Sequence, residues 1–151
     1  MLGTAYTVLG EASETTAQSL IRLTAPADAV LVITKAWIGI DDVDDLNEPM
    51  SAQIHIASTA GTGAAVTPRP MNVGVTGLGA TAIESITADP TAGNILVKEP
   101  FNAAAGWVWT PFDESEALVV SPSDIIVLHL ATAPSAAMNI ISGMTFYEIG
   151  G

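Results

Sequence analysis

The sequence contains no cysteine. Disulfides, thiolate-held zinc, iron–sulfur clusters and a thiol nucleophile are thereby excluded. Basic residues are nearly as scarce. Arg22, Lys35, Arg69 and Lys98 stand against sixteen acids, for a formal charge of −12. Phosphate neutralisation needs clustered Lys and Arg, so no nucleic-acid partner is expected. An anionic membrane surface is disfavoured for the same reason. Long apolar runs are missing: Ala29–Ile33 stops at Thr34 and Lys35, far short of the ~20 residues that span a bilayer. Positions 1–20 lack a basic start and contain Glu11 and Glu14, so no secretory leader is expected. No stretch keeps the apolar stripe of an amphipathic helix.

The 151 residues that are present suit one domain, since domains hold roughly 100–200 residues. A chain of this size buries enough core to fold without a metal or covalent staple. Apolar residues make up 49% and mean hydropathy is +0.45. Charged residues are 13%, about half the usual share. Such a protein either has an unusually apolar surface or has part of that surface covered by partners.

Short runs of Val, Ile, Thr and aromatics recur between Gly, Pro, Asp and Asn clusters, which is the signature of strands. Ser51–Ala57 alternates Ala52, Ile54 and Ile56 against Ser51, Gln53 and His55, as a half-buried antiparallel strand does. Asp124–Leu130 places Ile126, Leu128 and Leu130 inward, with His129 on the other face. Thr16–Thr24 and Ala29–Ile40 read as further strands. In the latter, Val30, Val32, Ile38 and Ile40 share one face, and Leu31, Ile33 and Trp37 the other. More strands are expected near Tyr6–Leu9, Thr81–Ala88, Ile95–Lys98, Gly106–Phe112, Ala117–Val120 and Met138–Ile149, the last beside an early strand. Nine or ten strands without intervening helices predict an all-β fold: a two-sheet antiparallel β-sandwich, jelly-roll-like. Residues 17–151 are expected to form the sandwich. The polar segment 1–16 is expected as an arm. The Gly- and Pro-rich stretch 59–79 reads as a long functional loop or a flexible segment.

Chemistry-bearing groups are few. Asp41, Asp42, Asp44, Asp45 and Glu48 offer hard oxygen ligands for Ca²⁺, although the spacing is not that of an EF-hand. The alternative is a solvated loop that keeps an apolar protein dispersed. His55 and His129 would meet if their strands are neighbours, as a metal pair or simply as polar residues. Asp113, Glu114 and Glu116 are the carboxylates available for glycosidase chemistry, with no opposing acid assigned. No nucleophile elbow or phosphate loop is found. Trp107 and Trp109 share one face of a strand. They suit a core pair, a protein interface or a sugar platform. Trp107, Trp109 and His129 are the interface candidates, and no cofactor or catalytic residue is expected.

The run Leu23-Thr24-Ala25-Pro26-Ala27-Asp28-Ala29-Val30-Leu31-Val32-Ile33-Thr34-Lys35-Ala36-Trp37-Ile38-Gly39 resembles small structural proteins of tailed bacteriophages. So do Ser58–Gly63 followed by Val66-Thr67-Pro68-Arg69-Pro70, the passage from Phe101-Asn102 through Gly106-Trp107 to Val119-Val120-Ser121-Pro122, and the ending Glu148-Ile149-Gly150-Gly151. The resemblance implies a β-sandwich virion component, made in the host cytoplasm and placed on the capsid surface. It is most like a head decoration (cement) protein that clamps the major capsid protein lattice, commonly as a homotrimer. It carries no catalytic residues. The arm at 1–16 would order on the capsid or on a neighbouring protomer. The competing expectation is a tail-associated receptor- or carbohydrate-binding module using Trp107, Trp109 and the loop acids. A hydrolase on a sandwich scaffold is a third.

Overall fold

A computed structural model describes residues 4–41, 47–75 and 77–150. Twelve strands are formed among them: β1 (Ala5–Glu14), β2 (Gln18–Thr24), β3 (Ala29–Ile40), β4 (Pro49–Ala57), β5 (Thr62–Val66), β6 (Arg69–Pro70), β7 (Thr81–Ala88), β8 (Ala92–Asn102), β9 (Trp107–Trp109), β10 (Leu118–Val120), β11 (Ile125–Leu130) and β12 (Met138–Gly150). A single 3-10 turn, Glu114–Glu116, interrupts the β-structure of the described residues.

Sheet I runs β10-β3-β12-β1-β6, with β9 also on β3. Sheet II runs β5-β7-β2-β11-β4-β8. Both β9 and β10 pair with β3, so they act as one interrupted strand. Set aside β5, β6 and β7, and the chain has eight main strands. The first, eighth, third and sixth make sheet I; the second, seventh, fourth and fifth make sheet II. That interleaving is the jelly-roll order, two Greek keys wrapped into a sandwich. Every ladder is antiparallel. The insertion between β4 and β8 adds β6 to one sheet and β5 and β7 to the other, so 59–79 contributes strands where a loop was expected.

The core lies between the inner faces. Tyr6 and Val8 (β1), Leu31, Ile33 and Ile38 (β3), and Met144 and Phe146 (β12) meet Ile21 and Leu23 (β2), Ile54 (β4) and Ile126, Leu128 and Leu130 (β11). Phe146 is fully buried and stacks on Tyr6 at 5.9 Å between ring centroids.

Two expectations need correction. Residues 1–16 are not an arm as a whole: Ala5–Glu14 pairs with β12 over ten residues. A strand was expected near Tyr6–Leu9, but the alternation of buried Tyr6, Val8 and Gly10 is thinned by small and polar neighbours, which hid its full length. In β3 the register against β12 shifts between Thr145 and Phe146, skipping Thr34. This β-bulge reverses the phase of the alternation. Ile38 therefore joins Leu31 and Ile33 inward, and Trp37 turns out to join Val30 and Val32.

Candidate functional site

The outer face of sheet I is built by cross-strand register. Leu9 lies opposite Gly143, Gly143 opposite Trp37, and Trp37 opposite Val108. These four positions, on β1, β12, β3 and β9, form one row across the sheet. Directly opposed side chains stand about 4.5–5.5 Å apart and act as a unit. Leu9 is 53% exposed and Val108 62% exposed, and Ile141 adds exposed apolar surface one row along. The Trp37 ring lies flat over Gly143, and a methyl group there would meet the indole at 2.0 Å. The missing side chain of Gly143 is therefore what seats the tryptophan. Lys35 sits over the Trp37 ring, its Nζ 5.3 Å from the ring centroid, a cation–π contact.

Gly143→Ala is expected to expel the indole from its seat. Stability should fall by about 1–3 kcal/mol. Tryptophan emission should shift to the red as the ring enters water, and unchanged emission would show that the ring does not depend on Gly143.

The row carries no carboxylate. Glu11, the acid on this stretch of β1, accepts from Asn139 Nδ2 at 2.8 Å. At the other end of β3, Val32 lies opposite both Tyr147 and Val119, and Val30 opposite Ile149. Here the connection from β9 to β10 folds back over the sheet. It borders an open cavity of about 440 Å³, lined by Val32, Thr34, Pro111, Asp113, Glu114, Ala117 and Val119. Asp113 caps the 3-10 turn by accepting from Ser115 N at 2.8 Å. The Ser115 hydroxyl and amide hold its carboxyl below the usual value.

Sheet II presents a different outer surface. His55 and His129 do come together, edge to face at 5.7 Å, because β4 and β11 are neighbours. His55 is only 1% exposed. Gln53 Nε2 donates to its Nδ1 at 3.1 Å, which leaves the ring proton on Nε2, buried without a protein partner. Ser19 Oγ lies 3.1 Å from His129 Nδ1, and Asp89 Oδ1 accepts from Ser19 N at 2.8 Å. The polar face expected for Gln53 and His55 is thus buried, with the β7–β8 turn carrying Asp89 beside it.

Burial first, and then the His129 charge, push the His55 imidazole down to about 4. His129 is lowered by its own burial. The sign follows from proton counting. Above about pH 6.5 both states hold neutral imidazole and stability is full. Between there and about 4, the unfolded chain binds a proton that the folded chain refuses, so stability drops as pH falls. His55 alone removes roughly 2 kcal/mol by pH 5. Glu14, raised by burial and by Asp89, works in the opposite direction and offsets part of this. The urea midpoint should fall between pH 7 and pH 5, and His55→Leu should flatten that fall. A flat wild-type profile would contradict the buried neutral pair.

Trp107 and Trp109 do share a face, but it is the inner one. Trp107 is 5% exposed and belongs to the core, its Nε1 donating to Glu99 Oε2 at 2.8 Å. Trp109 packs against the same core. Trp107 is too buried to offer a platform for a sugar, and Val108 between the two is the residue of β9 that faces outward. Strict alternation carried that signal: two inward tryptophans leave the middle residue outward. His129 is half-buried beside His55 and is not on the apolar face. Of the calcium candidates, Asp42, Asp44 and Asp45 lie outside the described residues. Asp41 is exposed, while the Glu48 carboxylate accepts from Ser135 N at 2.8 Å and Ser135 Oγ at 2.9 Å. That clasp ties the β3–β4 connection to the β11–β12 connection. Among the described residues, no group of three or more His, Asp or Glu is placed to hold a metal ion.

No family model matches the chain, and no curated protein matches it. Among solved structures, VP17, a capsid protein of bacteriophage P23-77, aligns over 99% of this chain and 98% of its own at 10% identity, with a TM-score of 0.15. At that score the likeness carries no weight for fold or role.

Proposed function

We propose that this protein is a virion structural component: a head decoration protein that binds the lattice of the major capsid protein and cements the shell from outside. The observation that carries the reading is the Leu9–Gly143–Trp37–Val108 row, an apolar strip without a carboxylate in a chain of formal charge −12. Absence of acids at the centre, with an aromatic residue there, suits an interface core, and the one cation beside it, Lys35, lies over the Trp37 ring.

A jelly roll serves many functions, and viral shells are among them. The reading rests on the face and needs no reacting group. Rigid strands limit the ordering cost of docking. A modest affinity per copy suffices where one protein bridges several lattice subunits, because simultaneous contacts multiply.

Purified protein mixed with phage shells that lack it should co-sediment to a saturating, lattice-related stoichiometry and raise the temperature at which the shells open. Failure to sediment with the shells at any concentration would reject the reading.

A further inference from the structure

Phe112 sits in the β9–β10 connection and is 92% exposed. It is a fixed projection. Its backbone N donates to Glu116 Oε2 at 3.2 Å, and Asp113 beside it caps the 3-10 turn. Its neighbours Pro111 and Asp113 both line the 440 Å³ cavity over Val32 and Val119, while Phe112 itself is not in the lining. The same short segment therefore carries an outward aromatic ring and an open apolar hollow with room for a ring. Val119, at the cavity wall, is 61% exposed.

We infer that the occupant of this cavity is Phe112 of a second copy of this chain, in a reciprocal two-fold contact. Knob and hole are adjacent on one segment. A two-fold axis passing between them carries each ring into the other copy's hollow, which is the self-complementarity that such an interface requires. An aromatic ring buries about 150–250 Å². Two rings bury about 300–500 Å² before the valines and prolines around them are counted, which places the contact in the small, weak class. The contact is a pair of copies, in place of the trimer that the phage resemblance implies. It lies at the opposite end of β3 from the Leu9–Val108 row and does not depend on the proposed attachment to a shell.

Electrostatics gives the contact a signature. Each copy carries a formal −12, and Asp113, Glu114 and Glu116 flank the ring. Like charges oppose the pairing, and salt screens them. Association should therefore tighten, about fivefold, between about 20 mM and about 500 mM salt. An interface held by ion pairs would loosen instead.

The test is sedimentation equilibrium of the full chain without shells, from about 1 to about 300 μM. The wild type should move from monomer to dimer, more readily at high salt. Phe112→Ala and Val119→Asp should each remain monomeric with unchanged circular dichroism, and Phe112→Trp should retain the dimer. A monomer throughout, a three-copy assembly, association indifferent to Phe112→Ala, or association weakened by salt would each overturn the inference. Shell binding is read separately: Phe112→Ala should still attach, and Val108→Asp should still dimerise.

Discussion

Phe146→Ala should lower the unfolding free energy by about 3–5 kcal/mol, the usual cost of emptying a fully buried aromatic site. The ring comes from β12, the strand held between β1 and β3 in sheet I, and stacks on Tyr6. Its removal strips Tyr6 of its partner and opens a void in the core between the two sheets. Rigid strands on both sides resist collapse into that void, so the loss should sit toward the upper end. Domains are stable by only about 5–15 kcal/mol, so the variant should melt about 10 °C lower. A urea titration checks this. A loss below about 1 kcal/mol would mean that the two sheets are not held together at this point.

Val108→Asp should abolish shell attachment while leaving the fold unchanged. The residue is largely exposed in the free protein, so the new carboxylate is hydrated there at almost no cost. In the docked state it would lie at the β9 end of the apolar row, stripped of water, with the nearby Lys35 ammonium already placed over Trp37. An unpaired buried charge costs several kcal/mol, and about 3 kcal/mol is already more than a hundredfold in affinity per contact. Avidity multiplies the defect because every copy carries it. Val108→Thr, which keeps the shape without a charge, should retain most of the binding. Attachment by Val108→Asp equal to that of the wild type would place the docking surface elsewhere.

Much of the sandwich was legible in the sequence because a half-buried strand advertises itself by alternation. Thr81–Ala88 and Ile126, Leu128 and Leu130 fell where the pattern put them, and Met138–Gly150 did pair with an early strand. What alternation does not encode is an irregular residue. The bulge near Thr34 exchanged the faces of Trp37 and Ile38, and with them the identity of the outward aromatic. Nor does it encode what a distant turn covers. His55 reads as outward from β4 alone but is buried against His129 of β11, with Asp89, thirty-odd residues later, near enough for its charge to act on the ring. The jelly-roll wrapping itself is a set of long-range pairings, such as β1 with β12, that single-strand patterns suggest only through strand count and turn spacing.

The candidate site was legible in kind but not in place. Surplus apolar composition with few charges pointed to a covered surface. The tryptophan pair drew attention to β9, where the valine between them is the residue that faces outward. Gly143 gave no signal, since only the register that brings Trp37 across from it shows why a glycine stands there.

The most direct measurement is a map of shells saturated with this protein, at a resolution that distinguishes the two sheets. The account predicts sheet I against the shell, with Leu9, Trp37 and Val108 in contact with capsid subunits and the histidine-bearing sheet turned away. Copies seated through sheet II, or shells bare of added density, would contradict it.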